Sequence, residues 1–427
     1  MARRALLPLL LAVSVASLPA LRTAPGVDPE ELEGRAPTKA ELMPSVEAAF
    51  QAESYRPGAV ASLRISNSAR GITMQLFRVG PETVRTRGSN EMQGVPVAEP
   101  QAVGASRGRR LVRVPLGDWP SGLYFARLQA VDGRVGFAPF VLRPRVLGEH
   151  RVAVVLPTLT WQAYNLRDDD GDGRGDSWYA SWSVHTVRLG RPFLNRGVPY
   201  NFRNYDLPFL EWLARTGKDV DVLSDADLEA APSGHALARS YDLVVFPGHH
   251  EYVTKREYDR VTAYRNLGGS LMFLSANNFF WRVVRHGRTI ERTKRWRDLG
   301  RPEAALIGVQ YRGNDRGTHR GPWVVRRSEA ASWLLAGTEL KAGGDLSSGG
   351  IEIDKTSSAS PKGIQVLAEI PNLFGPGFTA QMTYYETRAG AKVFAAGAFT
   401  LAGSVREPKV AAVLENLWTQ MTGDGLR

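Results

Sequence analysis

The chain contains no cysteine. Disulfides, thiolate-held zinc or iron–sulfur clusters and a cysteine nucleophile are therefore all excluded. Histidine is scarce, seven residues in 427, which makes an adjacent pair followed by a glutamate at 249–251 conspicuous. Beyond the first twenty residues no run is long and apolar enough for a transmembrane helix, so no stable membrane span is expected. Internal repeats are also absent. Acidic residues are in deficit, 43 Asp+Glu against 54 Lys+Arg, a formal net charge of +11. A basic surplus raises nucleic acid as a partner. The arginines are scattered, however, and neither a zinc-finger nor an RNP pattern occurs, so the surplus reads as a solvated arginine-rich surface and no nucleic-acid partner is expected.

What is present divides the chain into four parts. Residues 1–20 carry Arg3 and Arg4 ahead of an apolar stretch at 6–18, too short to cross a bilayer, with a small residue, Ala20, at the end. This predicts a signal peptide and a secreted or periplasmic protein; the Arg-Arg pair is compatible with a twin-arginine export route. Residues 21–54, rich in Pro, Glu and Ala, read as a linker. Residues 55–147 show short alternating runs (ASLRISN, ITMQLFRVG, LYFARLQAVD) between Gly, Pro, Asp and Asn, which predicts a small Ig-like β-sandwich. Residues 148–427 open with RVAVVLP, a continuous apolar run suited to a buried parallel strand. VDVLS, YDLVVFP and SLMFLS follow, interleaved with helical spacing at 204–215 and 254–267. That alternation predicts an α/β domain with a doubly wound, mostly parallel sheet.

In such sheets ligands bind beyond the carboxyl ends of the strands. Three stretches qualify: WQAYN at 161–165, GHHEY at 248–252 and SANN at 275–278. The second is the densest in functional groups, with His249, His250 and Glu251 together. Asn277 has an amide to offer a substrate oxygen, or serves as a turn-former. Ser275 stands where related folds carry a nucleophile, but the G-x-S-x-G elbow is missing. A metal-activated water is the natural substitute.

The acidic run DDDGDGRGD is separate. Asp168, Asp170 and Asp172 occupy positions 1, 3 and 5 of a calcium-loop pattern, with Gly173 at 6 and Asp176 at 9. Position 12 is Tyr179 rather than the bidentate glutamate of an EF-hand. The run reads either as a non-EF calcium loop or as a solvated acidic turn.

Several motifs in order resemble one family. WQAYN (161–165), FRNYDLPFLEWL (202–213), YDLVVFPGHHEYVT (241–254), GGSLMFLSANNFFWRV (268–283) and YYETRAGAKVFAAGAFTLAGS (384–404) are similar to the C-terminal domain of the N,N-dimethylformamidase large (β) subunit family. The resemblance implies a class I glutamine amidotransferase-like fold without its cysteine. It also implies an amidohydrolase that cleaves a C–N bond of a small amide-like substrate at mononuclear iron (Fe3+). By motif, the implied iron ligands are Tyr164, Tyr205 and Glu251. The implied assisting residues are His249, Asn277 and Glu386. Hard oxygen donors of this kind suit ferric iron, which lowers the pKa of a bound water and polarises a carbonyl. The alternative reading is a non-catalytic exported protein that binds a small ligand or carbohydrate and has a calcium-tied loop.

Overall fold

The computed structural model describes residues 37, 42–81, 91–103, 110–179, 183–315, 319–399 and 401–422. The expected signal peptide at 1–20 lies outside the described residues, as does most of the expected linker. The end of that linker segment is built into the fold. Ala48–Phe50 pairs antiparallel with Val60–Ile65, which in turn pairs with Arg110–Pro115. This three-stranded sheet faces a six-stranded one formed around Ile72–Arg78, Gly122–Gln129 and Val135–Leu142. The alternation that predicted strands is what fills the space between them: Ala61, Leu63 and Ile65 point inward, and Phe50 and Phe140 meet with ring centroids 4.5 Å apart. Gly122–Gln129 is buried on both faces. Its Tyr124 and Leu128 enter the sandwich core, while Leu123 and Phe125 join the core of the larger domain beyond.

That larger domain is built on an eleven-stranded mixed sheet. Asp221–Ser224, Val152–Leu156, Leu243–Phe246, Ser270–Phe273 and Lys392–Ala395 lie side by side in parallel. The sheet then reverses: Ala380–Glu386, Gln365–Ile370, Arg320–Val325, Asp345–Lys355 and Gln310–Asn314 follow in antiparallel pairing. A separate four-stranded sheet joins Thr186–Arg188, Thr289–Arg295, Trp281–His286 and Tyr252–Thr254. Strand outweighs helix, 34% to 22%.

The expected doubly wound, mostly parallel, amidotransferase-like sheet is therefore wrong for this chain. Four buried strands between 152 and 273 carried the expectation, and they do run parallel. After Phe273, however, no long helix returns among the described residues until Pro408–Thr422. Without helical crossovers, 320–325 and 345–355, 365–370 and 380–386, and 380–386 and 392–395 pair as antiparallel neighbours. Asp345–Lys355 shows the mixed burial of a strand whose faces differ, whereas each parallel strand from 152 to 273 is buried throughout.

Helices are placed by local chemistry. Lys255–Asn266 starts at a capping box, in which Thr254 Oγ1 accepts from the Glu257 amide, and it is followed by Gly268 at φ 98°. The helix expected near 204–215 is broken into Phe202–Tyr205 and Leu207–Arg215 beside Pro208, as proline's missing N–H requires. No helix among the described residues is long and apolar enough to cross a membrane.

Candidate active site

Three chain segments leave the carboxyl ends of adjacent parallel strands and are stitched together by main-chain bonds. After Val152–Leu156 the chain turns into the short helix Thr158–Ala163, which delivers Tyr164 at its end. After Leu243–Phe246 it runs through His249, His250 and Glu251. The Glu251 amide donates to Thr160 Oγ1 at 3.2 Å, tying the second segment to the first. The third segment follows Ser270–Phe273: the Phe279 amide donates to the His250 carbonyl at 2.7 Å, and the Phe280 and Trp281 amides to the Glu251 carbonyl at 3.0 and 2.9 Å.

This framework brings four of the expected residues together. The Tyr164 hydroxyl donates a short hydrogen bond to Glu251 Oε2. His249 Nε2 lies 3.7 Å from that same oxygen, and the Tyr164 and His249 ring centroids are 5.5 Å apart. Asn277 also hydrogen-bonds the Glu251 side chain. Its backbone is held in the left-handed region (φ 54°), with its amide donating to Asp354 Oδ1 and Oδ2 at 2.9 and 3.1 Å. A left-handed conformation is tolerated by asparagine better than by most residues.

Burial dominates the electrostatics. Glu251 is pushed up to about 7, chiefly by desolvation, against the hydrogen bonds of Tyr164 and Tyr252 and the charge of Arg292. Desolvation and the Glu251 charge hold the Tyr164 and Tyr252 phenols well above their usual range. His249 is depressed to about 3 by desolvation and by His250. It is therefore neutral, and its approaches to carboxylates are not ion pairs. Its Nε2 has no hydrogen-bond partner among the described residues.

Tyr205 is placed differently. Its ring lies 4.9 Å from Phe399, and Phe399 lies 4.8 Å from His249, so Tyr205 stands one ring away from the cluster. Its hydroxyl accepts from Asn201 Nδ2 at 3.3 Å.

Glu386 is not at the site, and its expected assisting role needs correction. Ala380–Glu386 runs antiparallel to Lys392–Ala395 and pairs Glu386 with Lys392, at the amino end of the parallel strands. There Glu386 is exposed and accepts from the Tyr384 hydroxyl at 2.5 Å. The second glutamate beside His249 is Glu352, whose Oε2 is 3.6 Å from Nε2. Sequence reasoning missed Glu352 and Asp354. The available signal was IEID at 351–354, where period-two alternation puts both acids on one face of a strand. Tyr252 was missed as well.

In the aspartate loop, ligand oxygens of Asp168, Asp170 and Asp176 lie within 4.8 Å of one another. Asp172, expected among them, is outside this group and instead accepts from the Arg174 amide. The residues that follow tie the loop to the site: Trp178 packs 4.8 Å from Tyr252, and Tyr179 5.0 Å from Tyr164.

The segment carrying all these residues has relatives. A family model described as N,N-dimethylformamidase beta subunit-like, C-terminal, matches residues 109–412. The chain belongs to this family. It is 26% identical over 334 residues to the N,N-dimethylformamidase beta subunit of Paracoccus aminophilus, and equally to that of an Alcaligenes species. In each case the match covers 61% of this chain and 42% of the relative, so the chain spans less than half the length of the curated relatives it matches. Among solved structures, an uncharacterised Bacillus anthracis protein aligns over 24% of this chain and 83% of its own, with 8% identity and a TM-score of 0.17. A likeness that slight says nothing about fold.

The iron that the sequence resemblance implies would meet oxygen donors here. Glu251 is a buried carboxylate whose partners are phenols and an amide, and an anionic oxygen cluster of that kind matches ferric iron or a comparable ion. Tyr164 and Glu251 fit as ligands. Tyr205 lies beside Phe399, which packs against His249.

Proposed function

We propose that this chain is an exported hydrolase of C–N bonds in small amides, acting at the Glu251 cluster. The observation that carries the reading is the Tyr164 hydroxyl on the buried Glu251 carboxylate, with His249 Nε2 between Glu251 and Glu352. The family match spans every one of these residues. Iron, when bound, supplies a Lewis acid that polarises the amide carbonyl and acidifies water. Tyr164 and Glu251 would hold it, with Tyr205 as the third oxygen donor the family pattern implies.

The remaining chemistry belongs to the chain. Burial keeps His249 neutral, so its ring can hydrogen-bond and orient the attacking water while the Glu352 carboxylate accepts the proton. As the C–O bond forms and the C–N bond breaks, Glu352, 3.6 Å from His249, passes that proton to the departing amine. The products are a carboxylic acid and an amine. Asn277, anchored by Asp354, orients Glu251 through its amide. The low exposure of His249, Glu251 and Asn277, 4%, 5% and 4%, excludes bulk water from the reacting groups. A calcium ion at Asp168, Asp170 and Asp176 would stiffen the loop that supplies Trp178 and Tyr179.

The test is to purify the exported protein, measure bound metals and the visible spectrum, and assay amine release from a panel of small amides. Expected are iron, a tyrosinate absorption band and turnover, with band and turnover both lost in Tyr164→Phe. A colourless protein that holds calcium alone and cleaves no amide refutes the reading and favours a ligand-binding role.

A further inference from the structure

One apolar-walled cavity lies away from the Glu251 cluster. It measures about 310 Å³ and lies between the N-terminal sandwich and the outer side of the helix Thr158–Ala163. Its apolar wall includes Phe50, Leu123, Phe140, Trp161 and Phe193. The helix separates it from the candidate active site. Thr158, Trp161 and Gln162 line the cavity, while Thr160 receives the Glu251 amide and Tyr164 reaches the Glu251 carboxylate.

Four arginines line it, and three of them face carboxylates: Arg143 pairs with Asp227, Arg285 with Glu53 and Glu229, and Arg191 lies 3.7 Å from Asp169. The two carboxylates on the wall itself, Glu53 and Asp227, are already engaged. Glu53 accepts from Thr158 Oγ1 at 2.6 Å and Arg285 Nη1 at 2.8 Å. Asp227 accepts from Ser54 Oγ at 2.7 Å and Arg143 Nη1 at 2.9 Å. Arg288 donates to neutral acceptors, Gln51 Oε1 at 3.1 Å and the Leu189 carbonyl at 3.3 Å. It sits over Gly190, where any Cβ would come within 2.4 Å of its Nη2. Arg64 and Arg188 add further positive charge beside it. On the lining residues, Arg191 Nε, Arg285 Nη2 and Gln162 Oε1 have no hydrogen-bond partner among the described residues.

We infer that this cavity binds a small organic anion with an apolar body, of the class of medium-chain or arylalkyl carboxylates. The volume sits at the small end of ligand pockets. At ~30 Å³ per water-sized group it holds about ten non-hydrogen atoms. The aromatic and aliphatic wall takes the body, and Arg288, which donates only to neutral acceptors, takes the oxyanion.

Calorimetric titration of the full chain with octanoate, 1-octanol and palmitate tests this, with Trp161 fluorescence as a second readout. Octanoate should bind saturably at one site. Octanol, which lacks the charge, should bind at least about tenfold more weakly, the worth of one charge-assisted hydrogen bond. Palmitate, too long for the cavity, should not compete. Leu123→Trp, which fills the cavity, should abolish binding, and Arg288→Gln should weaken it. Arg288 is exposed, so that variant tests the site even if Leu123→Trp fails to fold. Tyr164→Phe should bind octanoate normally, which separates this inference from the proposed hydrolase activity. The inference is overturned if octanoate shows no saturable binding, if octanol or palmitate matches it, or if a folded Leu123→Trp or Arg288→Gln binds like the parent.

Discussion

Asp354 offers a test of how the site is held. It is buried, and its carboxyl accepts the Asn277 amide through both oxygens. Desolvation raises it from 3.8 to about 7, with the Asn277 amide opposing. The folded state thus binds this proton more tightly than the unfolded chain does. Its contribution to stability is fully present below pH 3.8 and is lost as the pH rises through 7. Over that span of about 3 units, at roughly 1.4 kcal/mol each, the loss approaches ~4 kcal/mol as an upper bound. Asp354→Asn keeps one acceptor for the Asn277 amide but cannot titrate. Its stability relative to the parent should therefore climb between pH 4.5 and 7.5, by ~2–4 kcal/mol. The difference between the two proteins cancels the other buried carboxyls, Asp206 and Asp225 among them. Urea unfolding at four or five pH values reads it directly. Asp354→Ala cannot titrate either, so it should show the same climb, offset downward by ~1–3 kcal/mol because the buried Asn277 amide loses its acceptor. A parent-minus-Asn difference that stays flat across the range would sink the claim that Asp354 is a titrating clamp on Asn277.

Other outcomes follow from the same geometry. Tyr164→Phe removes a donor to a buried carboxylate and should cost ~1.5–3 kcal/mol in chemical denaturation, along with iron content by plasma emission. Glu352→Gln should lower kcat by ~10²–10⁴, the range for a general acid–base group, whereas Glu386→Gln should leave turnover unchanged; steady-state kinetics on the same amide would decide between the two glutamates. Asp176→Asn should abolish calcium binding while Asp172→Asn leaves it intact, as read by calcium titration. Gly248→Ala should destabilise the protein by ~1–3 kcal/mol through overpacking, since its Cβ would lie 2.0 Å from Asp206 Oδ1; thermal melting would show it.

Much of the site was legible before any coordinates. Tyr164, His249, Glu251 and Asn277 all lie just beyond buried apolar strands, and a strand end is a local property of the chain. Their ordered motifs also carried the family resemblance, which the match over residues 109–412 bears out. Glu386 failed because its assignment depended on which end of the sheet its strand finishes at, and strand direction is a tertiary property. Glu352 was hidden because IEID lies in the long strand Asp345–Lys355, whose Ser347–Gly350 composition favours a turn. Asp172 fits the calcium-loop spacing, and its carboxylate accepts from the Arg174 amide, outside the group formed by Asp168, Asp170 and Asp176.

By itself, the sequence determined the chemistry on offer. It has no thiol, a histidine–glutamate pair behind a buried strand, tyrosines at neighbouring motif ends, and an aspartate run with cation-loop spacing. It also determined the local elements, because apolar runs, capping boxes and proline act over a few residues. Only the tertiary structure decided how the sheet continues past Phe273. Hairpins and crossovers differ in what they pair with far along the chain, and that pairing sets strand direction. It also decided that Glu352, 101 positions beyond Glu251 in sequence, shares His249 with it, and that an apolar cavity lies along the helix that delivers Tyr164.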